Sequence, residues 1–321
     1  MSDPTGDVGG WGVPLALFVG SIRVGTPFLF VSLGECITEK AGRVNLGLEG
    51  TLIMGAMTGY ALSVETAKWG APPSVAPWLG VIGAGVVGGL FGVLHAVICN
   101  RPRVNYVAVG IAMMILGLGL ASYLGTPYIK PSAPKLPDID FSFGLSVGPM
   151  VRDALHVNAL FVLGVILAPV LSLAFVYTRW GMVLRLAGES EEAAAALGYS
   201  VAGIRILATG LGGILAGIGG SYLSLYYPGS WNERIVNGQG LMAVALVIFA
   251  RWEPMRCLWA SLLFGGVGSL GLALQGADLT SAALAYLWST APYVLTLGIM
   301  VLTSSRARAL AGAPAELSRA R

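Results

Sequence analysis

Residues 78–99 read WLGVIGAGVVGGLFGVLHAVIC, with no Asp, Glu, Lys or Arg in the run. A helix needs ~20 apolar residues to cross a bilayer core, so this stretch is long enough to span one. Further apolar stretches fall at about 14–36, 46–64, 104–125, 157–178, 204–226, 238–250, 257–275 and 283–303. The composition agrees. Only 11% of the 321 residues are charged, against ~25% in ordinary soluble domains. Hydrophobic residues make up 55%, which also excludes a disordered chain. The 46 glycines are about twice the usual ~7% share. The prediction is an all-α, polytopic integral membrane helix bundle of about nine crossings.

Two stretches fit poorly. Gly238 to Ala250 is too short to span unaided and reads either as a run extended by its flanks or as half of a broken helix. In the first stretch, Arg23 and Pro27 suggest that residues 12–24 lie partly in the outer interface, with Arg23 reaching toward headgroups.

Loop charge sets the expected orientation. Of the 19 basic residues, one side collects Lys40, Arg43, Arg101, Arg103, Arg179, Arg185, Arg205, Arg251, Arg256, Arg306, Arg308, Arg319 and Arg321. The other collects Lys68, Lys130, Lys135, Arg152 and Arg234. The larger set should be cytoplasmic, which puts the N-terminus outside and the C-terminus inside. The expected organisation is an outer tail over residues 1–12, one transmembrane domain over 13–304 and a cytoplasmic tail over 305–321. Within the domain, 126–156 form a proline-rich outer loop and 179–203 the largest inner loop. In that inner loop, acids at Glu189, Glu191 and Glu192 precede an alanine run that ends at Gly198. Acids first and glycine last predict a short helix over 189–197. Asp3 and Asp7 near the N-terminus argue against a cleaved signal peptide.

Several patterns carry no chemistry. Gly266, Gly268 and Gly271 spell GxGxxG inside an apolar run, without the strand-to-helix context a nucleotide fingerprint needs. No P-loop or HExxH occurs. The three cysteines form no CxxC pair, so a disulfide framework or zinc site is not expected. The basic residues form no continuous patch interleaved with aromatics, which argues against nucleic acid. Gly85/Gly89, Gly88/Gly92 and Gly213/Gly217 are spaced for close helix packing or a moving interface. His95 reads as a hydrogen-bonded packing residue or one facing a polar path. Glu35 and Glu39, with Arg43 four residues further on, read best as a solvated interfacial pair.

The most informative segment joins the first two crossings. In GECITEKAGRVNLGLEG, Gly34 to Gly50, Asn45 and Glu49 stand among apolar residues. Polar groups entering a membrane need partners. The segment is either a helix break lining a path or a capped helix start with Asn45 as N-cap. A short echo, WNERIVNGQG at Trp231 to Gly240, lies on the opposite side in this topology, as an inverted repeat would place it. Asn45, Glu49, Trp231, Asn237 and Gln239 are therefore candidate path residues. Trp231, with Tyr226 and Tyr227, reads alternatively as an interfacial anchor.

GECITEKAGRVNLGLEGTLIMGAM resembles the N-terminal signature of ABC importer permeases in the branched-chain amino acid, ribose and nucleoside group. LRLAGESEEAAAALGYSVAGIR, Leu184 to Arg205, resembles that group's cytoplasmic coupling loop. Arg185, Gly188, Glu189, Glu192, Ala193, Ala194 and Gly198 match its usual wording. Ser190 and Glu191 replace the customary Asn and Pro, and the downstream ILP element of permease loops generally is missing. NLGLEG, Asn45 to Gly50, is more similar to the nucleoside and simple-sugar permeases. The resemblance implies a bacterial inner-membrane permease, not an enzyme, that works by alternating access. It also implies a second, non-identical permease, two ATPase subunits carrying ATP and Mg, and an extracytoplasmic binding protein. No cofactor is expected in this chain, and membrane lipid surrounds it. An ion-coupled carrier should show ionisable groups at mid-membrane. An intramembrane enzyme should show a nucleophile–base or metal constellation. The sequence offers few of the former and none of the latter.

Overall fold

Crossing the hydrocarbon layer forces each backbone amide to bond within its own segment, and the apolar runs accordingly fold as helices. The computed structural model describes residues 12–129, 132–140, 156–276, 284, 287–288, 290–302 and 312–319. In chain order the elements begin with α1 (Gly12–Lys40), α2 (Leu48–Lys68), α3 (Ala76–Cys99) and α4 (Tyr106–Gly125). Two strands follow, β1 (Asp138–Asp140) and β2 (His156–Asn158). Next come α5 (Ala159–Tyr177), α6 (Arg179–Glu189), α7 (Glu191–Ala196) and α8 (Val201–Leu225). The last are α9 (Gln239–Phe249), α10 (Pro254–Gly276), α11 (Ala291–Leu302) and α12 (Ala315–Arg319). Among the described residues, six helices are long and apolar enough to cross a membrane: α1, α3, α4, α5, α8 and α10. Each of the nine apolar stretches contains a helix. α2 has sufficient length but carries Glu49, Glu65 and Lys68, while α9 is short.

The centre of the bundle is α8, packed against α1, α2 and α3. Close backbone approach makes this possible. Gly88 and Gly92 of α3 face Gly213, Gly217 and Thr209 of α8, and a Cβ at Gly217 would lie 2.1 Å from the Ala84 carbonyl oxygen. The tight-packing reading of these glycines therefore matches their placement.

Other placements differ from expectation. α1 is one continuous 29-residue helix through Pro27, so residues 12–24 do not separate from the first crossing. The inner-loop helix is two helices, broken at Ser190, whose backbone is extended (φ −154°, ψ 111°). Glu189 ends the first of them instead of starting the second. Between α4 and α5, β1 and β2 pair antiparallel with Ile139 opposite Val157, and Asn158 caps α5 through the Leu160 amide. Residues 312–319 of the expected tail pack on the bundle. Pro314 lies beside Gly188, and the Glu316 side chain beside Gly42. Residues 1–11, 141–155, 277–283 and 303–311, with the tail and loop features expected there, lie outside the described residues, as do Lys130 and Arg152.

The bundle has two electrically distinct ends. Asn100 donates to the Ala202 carbonyl (3.2 Å), and Arg205 Nε to the Ala41 carbonyl (3.3 Å). The last turns of α1 and α3 and the first of α8 thus share one end. Lys40, Arg185, Arg251 and Arg256 gather there. Lys68, paired with Glu65, and Lys135, beside Gly229, lie at the other. This separation follows the two charge sets.

Candidate functional site

The two polar breaks meet. Gly50, in the first turn of α2, packs on Met113 and Gly117 in the middle of α4. These lie roughly 10–17 Å along a helix roughly 30 Å long, so α2 starts near mid-depth. α9 has only 11 residues, roughly 16 Å, and spans about half of a ~30 Å hydrocarbon core. Its N-terminus abuts that of α2. Glu49 Oε1 accepts from the Gly238 amide (2.6 Å) and Oε2 from the Gly240 amide (2.7 Å). One carboxylate thus satisfies amides that a helix start leaves unpaired. It stands at the positive ends of two helices, which is what makes a buried acid tolerable there.

Neighbouring groups hold this junction. Asn237 (φ 43°) and Gly238 (φ 83°) adopt left-handed backbone that turns the chain into α9. The Tyr293 hydroxyl of α11 donates to the Asn237 carbonyl (2.7 Å). A Cβ at Gly240 would lie 2.6 Å from the Glu49 backbone, so only glycine allows this approach. Asn45 is not the N-cap of α2. Its Oδ1 accepts from the Gly47 amide (3.0 Å), and its own amide donates to Glu35 Oε1 (2.7 Å). Asn45 therefore folds the turn before the helix.

The five candidate path residues divide accordingly. Asn45 and Glu49 are buried clamps, whereas Asn237 is exposed and Gln239 half-buried. Trp231 stands apart, buried against Gly125 of α4, and its indole N–H meets no acceptor among the described residues. Its ring packs on α4. The solvated-pair reading of Glu35 and Glu39 fails, because both are buried and Glu39 Oε2 accepts from the Trp252 indole. His95 is a buried packing residue, with its ring beside the Cys99 thiol.

The basic end carries the second constellation. Ser190 Oγ accepts from the Ala193 amide (3.2 Å) and starts α7. Gly198 (φ 82°) turns the chain out of it. Ala194 is buried, while Glu189, Glu192 and Ala193 are exposed, as are Leu197 (68%) and Tyr199. Gly188 fits because a Cβ there would lie 2.2 Å from the Lys40 carbonyl oxygen. Arg205, only 3% exposed, donates to Glu191 Oε2 (2.9 Å) and lies 3.9 Å from Glu316 Oε2. Burial, and next the Arg205 guanidinium, lower the pKa of Arg43 from its ordinary value.

Sequence reasoning missed Arg205, which reads there as the positive flank of a crossing. It also missed Trp252 and Glu316, whose partners come from distant segments. The alternation of exposed Leu197 and Tyr199 beside the alanine run was the available signal for an outward apolar surface. The C-terminal end of α1 ties both constellations together. Glu35 holds Asn45, the Ala41 carbonyl accepts from Arg205, and Gly188 sits on Lys40.

The comparisons with known proteins bear on this arrangement. Residues 17–304 match the family described as branched-chain amino acid transport system / permease component. The chain is 31% identical, over 88% of its length and 90% of the relative's, to a putative glucose ABC transporter permease protein of Haloferax volcanii. It is 28% identical to a nucleoside ABC transporter permease protein of Lactococcus lactis, over 88% of this chain and 90% of that protein. A guanosine ABC transporter permease protein of Bacillus subtilis is also 28% identical, over 88% of this chain and 89% of its own. The apolar helices, the broken crossing and a match over nearly the whole chain lead to one assignment: this multi-pass membrane protein belongs to the permease family of ABC transporters typified by the branched-chain amino acid systems.

Proposed function

We propose that this permease imports a nucleoside or a related small polar solute by alternating access, with the Glu49 junction as the element that moves. The observation that carries the reading is the meeting of α2 and α9 near mid-depth through Glu49 and the amides of Gly238 and Gly240. Transporter sites commonly form where half-helices end inside the membrane. Asn237 and Gln239 face the path, and Asn45 and Glu49 support it from behind. The nucleoside relatives and the NLGLEG segment favour a nucleoside. The Haloferax volcanii relative supports a second reading, a simple sugar.

ATP and Mg belong on a separate ATPase chain, into whose cleft α7 docks. Arg185, Gly188, Glu189, Glu192, Ala193, Ala194 and Gly198 shape that contact, and Arg205 holds it to α1. A second, non-identical permease completes the membrane pair, and an extracytoplasmic binding protein delivers solute. The basic end faces the cytoplasm of a bacterial inner membrane and the N-terminus lies outside. Single-cysteine labelling at positions 135 and 256, in a cysteine-free background, should modify 135 from outside and 256 from inside. Labelling of 135 from inside alone would reverse the orientation.

The solute is tested with the assembled transporter in proteoliposomes. Guanosine or uridine should stimulate ATP hydrolysis and accumulate inside, while glucose should not. Stimulation by glucose alone replaces the nucleoside with a sugar. Asn237→Leu and Gln239→Leu should lower uptake while the subunits still copurify, and normal uptake in both removes these residues from the path.

A further inference from the structure

At the basic end, a cavity of about 370 Å³ opens between α1, α5, α6 and the α9–α10 connection. Four cations line it: Lys40, Arg185, Arg251 and Arg256. Its one carboxylate, Glu253, is already engaged by Arg256 Nε at 2.7 Å. Four positive charges against one negative leave the lining at +3. Among the described residues, Lys40, Arg185 and Arg251 form no ion pair. By contrast, the cleft at the opposite end, between α1 and α10, is lined by the single cation Arg23.

The cavity walls are apolar on the membrane side. Phe175 and Val176 of α5 and the Trp252 ring contribute to them. From Val176 an exposed stripe runs back along α5 through Leu173, Val170, Ile166 and Leu163, at the three- and four-residue spacing of one helix face. The cations are also placed at a cost. Arg251 (φ 54°) and Trp252 (φ 57°) are consecutive non-glycine residues in left-handed backbone, a strain that persists where surrounding structure enforces it and that clusters at ligand sites. Gly312 packs against the Arg251 carbonyl and braces that turn.

We propose that this cavity binds the phosphate headgroup of an anionic membrane lipid, with its acyl chains laid along the exposed stripe of α5. Guanidinium groups match phosphate oxygens in pairs, and basic pockets between transmembrane helices suit such headgroups. A free anion would have no use for the apolar track that leaves the cavity. The site is independent of which solute the permease carries.

The test uses the full-length protein in phosphatidylcholine nanodiscs containing fluorescent phosphatidylglycerol, with retained lipid measured after dilution. The unmodified chain should retain phosphatidylglycerol over phosphatidylcholine. Each surface cation contributes about a fivefold factor in affinity, so Lys40→Gln/Arg251→Gln should lose roughly 25-fold. Arg101→Gln/Arg103→Gln, basic residues outside the cavity, should lose none. Val176→Asn changes no charge, leaves all four cations in place and should also lower retention, which separates a lipid site from general surface charge. Inorganic phosphate and glycerol phosphate should not displace the lipid. Unchanged retention in the double variant overturns the site. Displacement by inorganic phosphate alone reassigns it to a free anion, and displacement by the ATPase subunit reassigns it to that partner.

Discussion

α9 and α7 both begin with amides that need acceptors, but they obtain them in opposite ways. The acceptor for α7 is Ser190, immediately before the helix. The acceptor for α9 is Glu49, 189 residues away from Gly238. α7 is largely exposed, so water can replace its cap, and a local side chain suffices. α9 starts inside the hydrocarbon layer, where an unmatched amide has no water to turn to. Its cap must be strong, and it comes from a different helix. The consequence is mechanical: α9 cannot leave α2 without stranding amides, whereas α7 can tilt without breaking its own cap.

The comparison breaks first at Glu49. Glu49→Leu should abolish uptake and lower the unfolding temperature in detergent, because the buried Gly240 amide loses its acceptor at about 1–3 kcal/mol and the half-buried Gly238 amide loses its own as well. Glu49→Gln, which keeps one acceptor oxygen, should fall between. If Glu49→Leu unfolds at the parent temperature, the buried cap is not what holds α9.

Next in size is Gly240→Ala. The added methyl group meets the Glu49 backbone at 2.6 Å and should force α2 and α9 apart. Uptake should drop sharply while ATPase retention stays normal, and normal uptake would show that the junction tolerates separation. Arg205→Met should act on the other region. Without the guanidinium, Glu191 and the Ala41 carbonyl lose their donor, and α7 is no longer held to α1. More ATP should be hydrolysed per solute moved, with insertion unchanged. An unaltered ratio would remove Arg205 from the coupling.

The smallest effects belong to α7 itself. Gly198→Ala places a side chain in left-handed backbone, at a cost of about 1–2 kcal/mol, and should weaken ATPase retention moderately. Ser190→Ala should cost about 1 kcal/mol or less, since water reaches the exposed amide. If Ser190→Ala proved as damaging as Glu49→Leu, the contrast between wet and dry helix starts would collapse.

Much of this was legible in the residues. The crossings could be read because an apolar run of helical length has few alternatives in a membrane. The breaks could be read because Asn45 and Glu49 interrupt one run and because the run from Gly238 is short. The alanine run and Gly198 marked α7, though the helix starts two residues later than expected, at Glu191. Ser190 prevailed because an extended serine that caps the next amides ends one helix and begins another. Glu35 and Glu39 misled because helical spacing records neighbours on one helix only, and the partner of Glu39, Trp252, comes from elsewhere.

The sequence by itself determined that the chain is a membrane helix bundle, where it breaks and which end is basic. These follow from local quantities: hydropathy, run length and charge count. Only the tertiary structure decided that Glu49 closes the start of α9, that Arg205 ties α7 to α1, and that four cations from separate segments surround one cavity. Those pairings join segments far apart in the chain. They arise because buried donors and acceptors must find partners wherever packing brings them, and no local pattern records that choice.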